Sequence, residues 1–185
     1  MLDKVDDDDS FLTRVCFSDE ATFHVSGKVN KHNCRILGFK NPRVVIEHQR
    51  DSPKLNVWCG ITGPYFFAEK TVTGNTLQLY AVPQLPDRAI FQQDGAPPHF
   101  ANIIRTFLNE QFPARWIGRG SPYITWPVRS PDLTPPDFFL WGFVKDQVYT
   151  TPVHDLADLQ ERIHAAVNNV TPQMLHNTCF EVGYR

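Results

Sequence analysis

Residues 14–25, RVCFSDEATFHV, alternate without a break. Val15, Phe17, Asp19, Ala21, Phe23 and Val25 share one face, and Arg14, Cys16, Ser18, Glu20, Thr22 and His24 share the other. A period of two over this length predicts a β-strand with one face turned to a core. The same alternation puts Asp19 between Phe17 and Ala21 on the apolar face. An unpaired carboxylate there is costly, and aspartate is a poor strand former. A metal or another cation must compensate, a salt bridge must form, or the strand must open onto a cleft. Glu20 faces the other way and is the weaker candidate. Any fold for this chain has to bury the strand and find Asp19 a partner.

The segments around it organise accordingly. Leu55–Thr62 and Tyr65–Val72 read as a hairpin turning at Gly63-Pro64, and Ala89–Asp94 as a further strand. Residues 27–54 show no clear period and are punctuated by Gly27, Asn30, Asn33, Gly38, Pro42 and Pro53. They read as a long excursion with a short strand at Arg43–Glu47, and long loops in compact domains are functional or disordered. Thr76–Val82 has a helical pattern that Pro83 and Pro86 end. Helical spacing recurs over Pro98–Phe112, from Pro135–Asp137 through Val148, and over His154–Val170. Thr171-Pro172 reads as a cap and first-turn proline opening a last helix through Val182. Pro113–Pro136 reads as a Gly/Pro-rich loop. Strands first and helices later, with a helix-like crossover between strands, predict a mixed sheet flanked by helices.

At 185 residues the chain suits one domain. Its longest apolar stretch, Phe138–Val144, is too short to span a bilayer, and the N-terminus lacks the order of a signal peptide. Residues 1–12, with the run Asp6–Asp9, read as an acidic disordered tail, leaving 13–185 as the domain. Cys16, Cys34, Cys59 and Cys179 lack zinc spacing and read as free thiols. Net charge is −2, but residues 28–54 carry +5 and the remainder −7. Lys28, Lys31, Arg35, Lys40 and Arg43 lead that basic segment. It is either an arm that holds phosphates or an ordinary charged loop.

Two more carboxylates stand in informative settings. Asp94 ends the strand in IFQQDGAPPH. Carboxylates at strand carboxyl ends face the crevice of α/β sheets, although an aspartate there also caps a turn. His99 either reaches the same cleft or sits on the surface at a helix start. Asp137 lies in RSPDLTPPDFFLWG and competes with Asp132. Thr134 to Asp137 has the spacing of a helix N-terminal box, compatible with a carboxylate pointing out toward a metal. Trp126 and Trp141 read as packing residues rather than stacking platforms. Oxygen-only carboxylate sets suit divalent cations in phosphoryl transfer.

FSDEATF, FQQDGAPPH and RSPDLTPPDFFLWG, in that order, resemble the three catalytic blocks of mariner-type DDE/D transposases in the Tc/mariner superfamily. VWCGITG and TVTGN add to the likeness, which runs from about Phe11 to Arg185. The resemblance implies a ribonuclease-H-like α/β fold, a mixed five-stranded sheet flanked by helices. It implies that Asp19, Asp94 and Asp137 are catalytic and hold two Mg²⁺ or Mn²⁺ ions for DNA hydrolysis and strand transfer. Residues 27–54 take the place of the family's clamp-like insertion, which contacts DNA or a partner subunit. That implies DNA as partner, a homodimer through the insertion and a nuclear location, with no membrane role. The family's preceding helix-turn-helix region is not in this sequence. The 42 residues between Asp94 and Asp137 resemble insect relatives with an extended loop. The stretch between Trp58 and Asp94 reads as shortened, and the C-terminus stops early. Set against the family, these features lead us to expect a degraded or truncated copy. Two rival functions remain, a catalytically weak DNA-binding remnant and a non-enzymatic interaction module.

Overall fold

The alternating segment forms β1 (Val15–His24) and is the axis of the sheet. The computed structural model describes residues 2–8, 10–27, 52–63, 65–69, 81–126 and 133–182. β2 (Lys54–Thr62) pairs antiparallel with β1, setting Asp19 opposite Cys59, and β3 (Tyr65–Glu69) pairs antiparallel with β2. β4 (Ile90–Gln92) lies parallel to β1 on its other side, with Gln92 beside Phe17. β5 (Trp116–Gly118) follows parallel to β4, and the two-residue strand β6 (Ile124–Thr125) completes the order β3-β2-β1-β4-β5-β6. The sheet is mixed, as expected, with five strands of three or more residues and a minimal sixth at the edge. From β3 the chain crosses both β2 and β1 to reach β4.

β5 and β6 fall within the stretch read as loop. Each is too short to show a period, so no pattern in the sequence marks them. Ser121 holds this turn together. Its hydroxyl donates to the Trp116 carbonyl at 2.6 Å and accepts from the backbone N–H of Tyr123 at 3.0 Å. The N–H of Trp126 then returns to the Gly118 carbonyl at 3.1 Å.

Helices cover both faces. α1 (Leu2–Asp7) and α2 (Phe11–Arg14) precede the sheet. α3 (Asn102–Gln111) follows a 3₁₀ turn at Pro97–Phe100. A π-helical turn, Pro136–Leu140, runs into α4 (Trp141–Val148). α5 (Leu156–Asn168) begins at Asp155, whose carboxylate accepts from the N–H groups of Ala157 and Asp158, an N-cap in full. α6 (Pro172–Val182) starts at the expected proline.

On one face Ala21, Phe23, Val57, Cys59 and Ile61 pack against Trp141 and Val144 of α4, Leu159 and Ile163 of α5 and Leu175 of α6. On the other, Cys16, Trp58, Phe91 and Trp116 pack against Leu108 and Phe112 of α3. The alternation in β1 thus supplies both of these cores, Ala21 and Phe23 to the first and Cys16 to the second. Truncating a buried ring such as Phe23 costs about 3–5 kcal/mol.

Phe11 and Leu12 are buried with Val15, Phe17, Ile90 and Val182. The folded part therefore takes in both residues, ahead of the boundary at residue 13 read from sequence, and α1 lies within the stretch read as tail. The acidic run hides two apolar side chains that join the core because α2 leads directly into β1. The basic residues Lys28, Lys31, Arg35, Lys40 and Arg43, the strand at Arg43–Glu47, Asp132 and most of the helix at Thr76–Val82 lie outside the described residues. Among the described residues, no helix is long and apolar enough to cross a membrane.

Candidate active site

Asp19 meets its partners across the sheet from the third sequence block. Asp137 and Trp141 are four residues apart, which places them on one side of the helical segment that packs over β1. The Trp141 indole N–H donates to Asp19 Oδ2 at 2.6 Å, while its ring stands edge-on to Phe23 with centroids 6.1 Å apart. Trp141 was read as packing, and it does pack, but it also orients the carboxylate. The four-residue spacing from Asp137 was the available signal.

Asp137 is itself held. The Thr134 hydroxyl donates to Asp137 Oδ2 at 2.6 Å, and the Asp137 N–H reaches the Thr134 carbonyl at 2.9 Å. The expected Thr134–Asp137 box is present in altered form, because the threonine hydroxyl serves the carboxylate rather than a backbone N–H. The wide π turn at this point is a rare geometry that recurs frequently at functional sites.

Burial pushes the Asp19 carboxyl up, and the charge of Asp137 pushes it further, to about 7. The Trp141 N–H acts in the opposite sense without undoing the shift. Behind Asp19, burial and then the charge of Asp19 push the Cys59 thiol well above its ordinary range. Cys59 therefore stays protonated and offers no thiolate, leaving oxygen donors.

Asp94 has a different partner. The parallel register of Phe17 with Gln92 carries the chain past β4 toward the level of Asp19. There Asp94 Oδ1 accepts from the Ala96 N–H at 3.1 Å and lies 2.5 Å from His99 Nδ1. The turn-capping and cleft readings of Asp94 thus coexist. His99 Nε2 also lies 3.8 Å from Glu20 Oε2, so the imidazole bridges the two carboxylates. Burial works upward on Asp94, but the His99 and Ala96 hydrogen bonds outweigh it and hold the carboxyl below its ordinary value. The bond to Asp94 raises His99 against the opposing effect of burial, and the charges of Glu20, Asp94 and Asp19 add to the rise. Burial raises Glu20, the charge of His99 opposes it and that of Asp94 adds to it. Glu20 and His99 were the weaker candidates by sequence, and here they form one unit with Asp94.

The three aspartates therefore sit in two adjoining groups, Asp19 with Asp137 and Trp141, and Asp94 with His99 and Glu20. His99 links them, since its ring feels the charge of Asp19 as well. Among the described residues, no three His, Cys, Asp or Glu side chains stand together as ligands of one metal ion. The donor chemistry nevertheless suits a hard divalent cation: the mutual repulsion of Asp19 and Asp137 is what such a cation relieves.

Among solved structures, the chain is similar to the Mos1 strand transfer complex, at 18% identity and a TM-score of 0.71 over 100% of this chain. The mariner Mos1 paired-end complex with Mg gives 18% identity and a TM-score of 0.71 over 99% of this chain. The catalytic domain of Mos1 mariner transposase alone gives 15% and 0.64 over 99% of this chain and 83% of that one. The chain has the fold of a mariner transposase catalytic domain. It is the ribonuclease-H-like fold implied by the three sequence blocks. The chain spans little more than half the length of the matched chains in the strand transfer and paired-end complexes, 55% and 56%. No family model matches the sequence, and no curated protein does.

Proposed function

We propose that this chain is a DDE/D-type transposase catalytic domain that cleaves and joins DNA phosphodiesters with Mg²⁺ or Mn²⁺. The observation that carries this reading is the Asp19–Asp137 pair, brought together from positions 118 residues apart on the scaffold of Mos1. A fold that sets two half-buried, repelling carboxylates beside each other loses stability unless a cation joins them.

Asp19, Asp94 and Asp137 would hold the metals. Bound there, the metals supply an activated water or 3′-hydroxyl and stabilise the leaving oxygen. The residues of this chain position the donors. Trp141 fixes Asp19, Thr134 fixes Asp137, and His99 keeps Asp94 ionised by hydrogen bonding. DNA is the proposed substrate, approached in part by the basic segment at 28–54. A homodimer through that insertion and work in the nucleus complete the proposal. The pairing of Asp94 with His99 favours a second reading, a DNA-binding domain with little or no turnover.

Nicking of supercoiled DNA in Mn²⁺ separates the two. The first reading expects metal-dependent nicking that Asp19→Asn and Asp137→Asn each reduce on the order of 10³-fold, as for loss of a group that stabilises developing charge. Thermal melts should rise with millimolar Mn²⁺ in the parent and not in Asp19→Asn. A melt that shifts without nicking favours the second reading. Neither response would sink both the metal site and the enzyme.

A further inference from the structure

A second cationic feature lies beside Asp94, on residues that the carboxylate site does not use. Phe100 closes the 3₁₀ turn, Arg105 stands in α3, and Arg119 follows β5 directly. Because β4 and β5 are parallel neighbours, Arg119 leaves the sheet at the same edge as Asp94. The Arg105 guanidinium lies 5.3 Å from the Phe100 ring centroid and that of Arg119 4.3 Å from it. Two positive groups thus stand less than 10 Å apart around a single ring, within about one Debye length at physiological salt. Gly120, at φ +76°, makes the approach possible, since a Cβ there would come within 3.2 Å of Phe100 and 3.5 Å of Arg105 Nε.

Arginines that serve the fold in this protein find acceptors. Arg115 donates to the carbonyls of Asp87 and Ala89, and Arg162 to Asp158 and to the Val148, Thr151 and Pro152 carbonyls. Among the described residues, no acceptor is found for Arg105 or Arg119. Neither enters a salt bridge among the described residues, and Arg105 Nε is buried without an acceptor. The ring stabilises each cation only weakly, leaving their mutual repulsion and their N–H groups unanswered among the described residues. An anion with several oxygens answers both, and guanidinium forks match phosphate oxygens.

We propose that Phe100, Arg105 and Arg119 form a contact for the phosphate backbone of duplex DNA, separate from the basic segment at 28–54 and set at the same sheet edge as Asp94. The inference rests on DNA as the partner and names a surface for it. Phosphate contacts position a duplex without reading its sequence, so the contact should hold DNA of any sequence against the cleavage edge.

The test is equilibrium binding of the full chain to a duplex of arbitrary sequence across a salt series. Parent, Arg105→Gln, Arg119→Gln, the double variant and a variant neutralised at Lys28, Lys31, Lys40 and Arg43 are compared, with melts to verify folding. The slope of log affinity against log salt should fall by about 0.9 for each arginine removed, in the neutralised background as well. Phe100→Leu should weaken binding less and leave the slope unchanged, because both charges remain. If Arg105 proves necessary for folding, Arg119→Gln alone carries the test. A double variant that binds with the parent's affinity and slope overturns this inference while leaving the DNA reading intact. A parent that does not bind DNA overturns both.

Discussion

Asp19 and Asp94 are the same residue type a few ångströms of sheet apart, and the protein moves their acidities in opposite directions. Asp19 is raised to about 7 by burial and by Asp137. Asp94 is lowered because hydrogen bonds from His99 and the Ala96 N–H outweigh its burial. Neighbours decide the difference. Asp19 faces a second carboxylate and one neutral donor, whereas Asp94 faces an imidazole that its own charge helps to protonate. Pairs of titratable groups pushed apart in this way are a mark of acid–base or metal sites. The first group sets one carboxylate against another, and the second sets a carboxylate against an imidazole shifted toward its charged form.

Trp141→Ala should break the first group most severely. It removes a nearly buried ring packed on Phe23 as well as the donor to Asp19, at a cost of about 3–5 kcal/mol. Denaturant titration measures the loss. Trp141→Phe should cost less and raise the Asp19 pKa further, because the ring stays and only the N–H goes. Equal losses for the two variants would show that the indole N–H rather than the packing dominates.

Asp19→Asn should stabilise the metal-free protein at high pH. The folded state holds the Asp19 proton more tightly than the unfolded chain does. That contribution is present below the ordinary carboxylate pKa of about 4 and is lost as pH rises through about 7. The variant should therefore match the parent near pH 4 and exceed it at pH 8 by on the order of 4 kcal/mol, or about 8–16 °C in melting temperature. A gain that does not vary with pH would disprove the raised Asp19 pKa.

Thr134→Val keeps the side-chain shape and removes the hydroxyl that donates to Asp137. A loss of about 1 kcal/mol is expected, with a weaker response of the melting temperature to Mn²⁺ as Asp137 loses its fixed orientation. An unchanged metal response would mean that the π turn alone positions Asp137.

Asp94→Asn should produce the smallest change in stability, below about 1 kcal/mol, since Asp94 is substantially exposed. The lowered Asp94 contributes above its ordinary pKa and loses that contribution as pH falls through its folded value. The raised His99 contributes below its ordinary pKa and loses that contribution as pH rises through its folded value. The loss on substitution should thus be greatest between about pH 4 and 6.5. NMR titration should show the His99 pKa falling toward its ordinary value, and a His99 that does not respond would separate it from Asp94.

Local pattern carried much of this fold. The alternation over residues 14–25 predicted β1 and placed Asp19 on its apolar face, and the structure has both. The hairpin at Gly63 and the helices α5 and α6 were also legible, because a period or a cap is a property of one segment. The three motif blocks pointed to the ribonuclease-H-like fold through their order. What joins distant segments was not legible. The donor to Asp19 comes from 122 residues away, and nothing within either segment specifies that approach. His99 turns to Asp94 and Glu20 because the 3₁₀ turn brings its ring there, not because of any spacing in the sequence. β5 and β6 exist only through pairing with neighbours, since two or three residues have no period of their own. The sequence by itself determined which residue types were available and which face each strand residue takes. Only the tertiary structure decided which carboxylate meets another carboxylate and which meets an imidazole, because charge interactions act through space across elements that packing alone brings together.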